Sequence, residues 1–230
     1  MASFTDIVSL GYRCRTTRRL RDHFGFETAF PFDWWVTPLK GAIRIVQDWD
    51  LDALYDPDSL REVWIGDRLA YIKHEHYGVK LQHDFPFEPD GKWVDRNWRA
   101  GLDNARARSR HLMERFDALN CADRRVLFVR ELDGKDERAI HRAVGLKTVI
   151  QQRIPLAETA FLLISRSGIG AEGWIALQID DPLEDPWEGN AAIWDAALST
   201  LGFSLGRSDA PQETSQRPRS ALGPLEAGAS

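Results

Sequence analysis

Residues 6–21, DIVSLGYRCRTTRRLR, pass from a short apolar run into an arginine-rich stretch with helical spacing, and this passage sets the fold class. Ile7, Val8 and Leu10 read as a buried strand that ends at Gly11, a residue that marks turns. From Thr16 to Phe24 the spacing of Thr16, Leu20 and Phe24 marks one face of a helix, with Arg15, Arg18, Arg19 and Asp22 on the others. A strand that leads directly into a helix is the opening unit of an α/β layer. It leaves Cys14 at the junction, on a helix face shared with Thr17, Arg18 and Arg21 and away from Leu20.

The chain continues with AFPFDWW (29–35), a dense aromatic knot, followed by Thr37 as a helix N-cap with Pro38 at the first helical position and Leu39, Ile43 and Val46 on one face. YGVKLQHDFPF (77–87) alternates, so Tyr77, Val79, Leu81, His83 and Phe85 are predicted on the apolar side of a strand. From Trp98, the series Leu102, Ala105, Ser109, Leu112, Phe116 and Leu119 keeps a helical period through the longest such run. RRVLFVREL (124–132) reads as a strand and KDERAIHRAV (135–144) as a helix; AFLLIS (160–165) and GWIALQID (173–180) read as strands. Asn190 opens a last helix with Ile193, Ala197 and Leu201 on one face. The alternation predicts an α/β fold over residues 1–206: one layered domain whose central mixed or parallel sheet is flanked by helices. Residues 207–230 turn to Ser, Pro, Gln, Gly and Ala and read as a disordered C-terminal tail.

With 230 residues, 43% hydrophobic, nine Trp and eleven Phe, the chain has ample material for one sizeable core. Its two cysteines lie far apart and MASFTDIVSL does not resemble a secretory leader, which predicts a reducing, cytoplasmic setting without disulfides. No segment reaches the roughly 20 apolar residues of a membrane span. A net charge of −5 gives no general attraction to polyanions.

A cysteine acts as a nucleophile through its thiolate, which a helix N-terminus and neighbouring cations favour. Cys14 has both, with Arg13 and Arg15 adjacent; the bland alternative is a small residue closing a turn. His83, on a patterned segment, is the histidine best placed as base, and His23, on the same helix as the cysteine but more than two turns away, is the fallback. Candidates to orient the imidazole are Asp33, Asn190 and Asp84, although strand alternation turns Asp84 away and Asn190 also suits a helix cap.

In order along the chain, SLGYRC, FPFDWW, YGVKLQHDF, VLFVRE and WEGNAAIW resemble a bacterial family of papain-like cysteine peptidases formerly described as a domain of unknown function. The likeness runs from about Asp6 to Phe203, and S-L-G-x-x-C and P-F-D-W are its most specific elements. It implies a nucleophile at Cys14, a base at His83 and an aspartate at Asp33. It departs at the last motif, where W-x-G-D is expected and Trp187, Glu188, Gly189 and Asn190 stand; papain-like triads use either Asn or Asp as third member. The expected function is a thiol-dependent hydrolase or acyl transferase acting on a peptide or other acyl substrate, with no cofactor.

Other classes remain open at this level. His74 and His76, with Glu75, His83 and Asp84 nearby, suggest a metal site, although H-x-H alone is a weak signal. Trp34, Trp35 and Trp187 suggest an aromatic-lined cleft of a non-catalytic binding module. Arg96, Arg99, Arg106, Arg108, Arg110 and Arg115 beside Trp93 and Trp98 suggest a polyanion surface, but interspersed acids favour a solvated helix face. The expectation is therefore no nucleic acid and no membrane, with oligomeric state open.

Overall fold

The computed structural model describes residues 2–181 and 188–206. In chain order, the elements are β1 (Ser3–Phe4), β2 (Asp6–Ser9), α1 (Cys14–Phe24), α2 (Leu39–Asp48), α3 (Leu51–Leu54), β3 (Leu60–Ile65), β4 (Arg68–His74) and α4 (Leu102–Asp117). Then come β5 (Arg125–Glu131), α5 (Gly134–Glu137), α6 (His141–Arg153), β6 (Glu158–Ser165), β7 (Ile175–Gln178), α7 (Ala191–Ser199) and β8 (Ser204–Leu205).

The central sheet is parallel throughout in the order β2-β5-β6-β7, with Ser9 opposite Val129, Glu131 opposite Ile164 and Ser165 opposite Gln178. Parallel strands covered on both faces read as continuous apolar runs, which is why VLFV and FLLI show no alternation. One face, with Val8, Phe128, Phe161 and Leu163, packs against α2, α4 and α6. The other, with Ile7, Val129, Leu162 and Ile164, packs against Leu20 of α1 and Trp194 and Leu198 of α7. Phe128 and Phe161 stack in the centre at 5.4 Å, and each such buried ring contributes roughly 2 kcal/mol by area. β1 pairs with β8, and β3 with β4 as an antiparallel hairpin. The α/β architecture expected from the sequence is the one observed. Among the described residues no helix is long and apolar enough to cross a membrane.

Three local readings need correction. The stretch from Tyr77 is not a regular strand: only isolated bridges form, at Lys80 with Val36 and Lys73, and at Phe87 with Val94. Tyr77, Val79, Leu81 and Phe85 are buried as the alternation predicts, but His83 is exposed, because a turn there lets Trp35 and Tyr55 draw the side chain of Asp84 inward instead. Helix α2 begins one residue late, with Pro38 as N-cap; Thr37 is fully buried, its N–H donates to the Tyr12 carbonyl, and it caps nothing. In α7 the buried stripe is Trp194 and Leu198, leaving Ile193, Ala197 and Leu201 half-buried, because the large indole takes the position against the sheet. The β3–β4 hairpin was not anticipated; its turn at Gly66 and Asp67 was the available signal. The tail from residue 207 and Trp187 of the proposed aromatic cleft lie outside the described residues.

Candidate active site

β2 keeps its ladder beside β5 beyond Ser9, through Leu10 N–H to Val129 O (2.8 Å) and Glu131 N–H to Gly11 O (3.1 Å). The chain must then reverse into α1, and Gly11 does so at φ 83°, a left-handed conformation open to glycine; the Gly11–Tyr12 peptide is cis. Arg13 is the N-cap in an extended conformation, no side chain caps the helix, and Cys14 is its first residue. The thiol thus sits beyond the carboxyl end of a parallel strand, where open α/β sheets place their ligands.

Cys14 Sγ lies 3.7 Å from Nε2 of His83. The imidazole has an open side to solvent but is walled by Trp34 and Phe87, whose ring centroids lie 5.7 and 5.8 Å away. This partial loss of water lowers the His83 pKa, with Arg108 adding to the effect and Asp84 opposing it. Burial raises the Cys14 pKa, countered by its own backbone N–H and by Arg13. Both shifts favour the neutral forms, a thiol beside an imidazole.

The main chain of His83 is pinned from α4: Arg108 Nη2 donates to the carbonyls of Asp84 (2.8 Å) and His83 (3.4 Å) and lies 3.4 Å from Asp84 Oδ1. Asp84 Oδ2 accepts from Trp35 Nε1 and from the Tyr55 hydroxyl, both at 2.8 Å, and Tyr55 in turn lies 2.6 Å from the Ser109 hydroxyl. Burial raises the Asp84 pKa, a tendency that these bonds and Arg108 oppose. Asp84 therefore fastens the turn carrying His83 without bonding the ring.

Asp33 does not reach the imidazole. Its carboxylate accepts from Arg21 (2.7 Å), Phe30 N–H (3.0 Å) and the Thr17 hydroxyl (3.3 Å), clamping the aromatic knot to α1, and burial holds its pKa up at about 6. Asn190 is a helix cap, its side-chain oxygen accepting from Ala192 and Ile193 N–H. Among the described residues, nothing is hydrogen-bonded to Nδ1 of His83. Of the expected constellation, Cys14 and His83 come together, while Asp33, Asn190 and Asp84 are committed elsewhere. His23 pairs with Asp195.

Other sequence candidates find structural roles. His74 is buried; its Nε2 lies 2.9 Å from the Ala53 carbonyl and its Nδ1 accepts from Tyr77 N–H, so neither nitrogen is left for a metal. Among the described residues, no group of three His, Cys, Asp or Glu side chains is arranged to hold one. Trp35 belongs to the core, whereas Trp34 stands half-buried against His83. Arg96, Arg99, Arg106 and Arg115 bond to Asp67, Glu62, Tyr55 and Ala29 of this chain.

Sequence reasoning missed the buried cluster behind the thiol. Arg15, the residue after Cys14, pairs with Glu131 at the end of β5, whose other oxygen accepts from the Thr16 hydroxyl at 2.6 Å. Arg15 also faces Asp181 at 3.8 Å, and Asp181 accepts from Trp194 Nε1 (2.9 Å) and Asn190 N–H (3.1 Å). An acid closing an apolar strand, as in VLFVRE, was the only signal available. Compared with known proteins, the chain matches no family model, no curated protein and no solved structure.

Proposed function

We propose that the protein is a thiol-dependent acyl hydrolase or transferase, of the kind implied by the resemblance to papain-like cysteine peptidases, with Cys14 as nucleophile and His83 as base. The observation that carries this reading is the 3.7 Å separation of Sγ and Nε2, within reach of proton transfer after a small tightening on substrate. In the acylation step Sγ attacks the carbonyl carbon and the thiol proton passes to Nε2 of His83. The oxyanion develops beside the uncapped first turn of α1, where backbone N–H groups and the positive helix end favour negative charge. Collapse expels the leaving amine, alcohol or thiol, which takes the proton from His83. Water, deprotonated by the same imidazole, then releases the acid; another nucleophile in its place gives transfer.

Two further features support the reading. Neutral resting partners suit a base that must accept a proton, and the bonds from Arg108 and Asp84 hold the turn that presents the imidazole.

The test is turnover of an acyl thioester and of peptide p-nitroanilides, with intact-protein mass to detect an acyl adduct. Cys14→Ser and His83→Ala should each lower turnover by at least about 100-fold, the usual scale for such groups, without altering the circular dichroism spectrum. Cys121→Ser, at an exposed cysteine remote in sequence, should leave it intact. Activity that survives Cys14→Ser would sink the proposal.

A further inference from the structure

We propose that the Cys14 site selects acyl substrates that carry a carboxylate close to the attacked carbon. This assignment deepens the preceding reading and rests on it.

Five arginines surround the junction in sequence, and four are already matched. Arg15 pairs with Glu131, Arg18 and Arg19 with Asp22, and Arg21 with Asp33. Arg13, adjacent to the nucleophile, is different: among the described residues no carboxylate oxygen lies within ion-pair distance of it. Its guanidinium is nonetheless placed, 5.2 Å over the ring of Tyr12. A positioned cation with no described carboxylate at ion-pair distance, adjacent in sequence to a candidate nucleophile, is a feature that a substrate anion would complete.

The rest of the rim has the same sign. On the His83 side, Arg108 spends Nη2 on Asp84 and the two carbonyls, yet half of its side chain remains exposed. The first turn of α1 adds the positive helix end. The acids that face the pair are occupied: Glu131 by Arg15 and Thr16, and Asp84 by Trp35 and Tyr55. Trp34 and Phe87 supply an apolar wall beside these cations. A compact acyl group bearing a planar carboxylate, which one guanidinium fork can match, fits this combination better than a neutral or cationic one.

Two alkylating agents of nearly equal size test the idea. Iodoacetate and iodoacetamide react identically with a thiol: Sγ bonds to the iodine-bearing carbon, the C–I bond breaks, iodide leaves, and the thiol proton goes to His83 or buffer. In the Cys121→Ser protein, Cys14 is the single thiol. The ratio of the two rate constants cancels the thiolate fraction, and an uncharged model thiol provides the reference ratio. The Cys14 ratio should exceed the reference by about three-fold or more at low salt, the scale on which one nearby unit charge acts in a wet site. It should fall toward the reference at 1 M salt, where the screening length is about 3 Å. Arg13→Gln should remove most of the excess and Arg13→Lys should keep it. A ratio at or below the reference, or one that Arg13→Gln leaves unchanged, overturns the assignment. The nucleophile reading fails separately, if His83→Ala does not slow alkylation of Cys14 by iodoacetamide at neutral pH.

Discussion

An imidazole with a lowered pKa stays available as a base further into acid than an ordinary histidine. His83 must be neutral to accept the thiol proton, so the acid limb of kcat/KM should lie below the usual value near 6.5, and activity should persist as pH falls through that value. Loss of water around the ring is the first cause, and Trp34 is one of its walls. Trp34→Ala should therefore move the acid limb upward, toward 6.5. An unmoved limb in a pH–rate profile would show that the indole does not set the base. This geometry was partly legible beforehand. Helical register kept Cys14 off the Leu20 stripe, and His83 was singled out among six histidines. Its exposure was not legible, because strand alternation assumed a regular ladder, whereas the hydrogen bonds to Asp84 come from Trp35 and Tyr55, distant in sequence.

Helix α1 depends on a buried charge that its own sequence cannot explain. Arg15 is 6% exposed, and its partner Glu131 lies 116 residues away at the end of β5. Together with the Thr16 hydroxyl, this pair fastens the first turn of α1, and with it Cys14, to the centre of the sheet. Glu131→Ala would leave the guanidinium buried without its main counter-ion, at a cost of about 3 kcal/mol in urea unfolding. The double variant Arg15→Met, Glu131→Leu should recover most of that loss, since well-packed apolar groups replace a buried pair at little cost. Equal losses in the single and double variants would contradict the account. From spacing alone Arg15 reads as one more solvated arginine; pairing across the fold makes it internal.

The two-faced parallel sheet and the aromatic knot hold the assembly together. Phe30, Phe32 and Trp35 are at most 2% exposed, with Phe32 and Trp35 in edge contact at 5.5 Å, so the knot is a core element with only Trp34 turned to the site. Trp35→Ala should cost roughly 3 to 5 kcal/mol, including the hydrogen bond to Asp84 lost with the indole, while Trp34→Ala should cost distinctly less. Comparable urea midpoints for the two variants would refute this division. Close packing also appears at Gly41 in α2, where a Cβ would collide with the Tyr77 carbonyl, so that helix lies directly on the segment leading to His83.

Periodicity and punctuation in the sequence determined the layered α/β class, most strands and helices, and the nearness of Cys14 to a helix start, because burial on both sheet faces and turn chemistry are local in the chain. Folding in three dimensions determined which histidine meets the thiol, that Asp33 and Asn190 serve as clamp and cap, and that, among the described residues, no carboxylate comes within ion-pair distance of Arg13. Those outcomes depend on contacts between residues tens to more than a hundred positions apart, such as Cys14 with His83 and Arg15 with Glu131, and a single-chain pattern carries no record of such pairings.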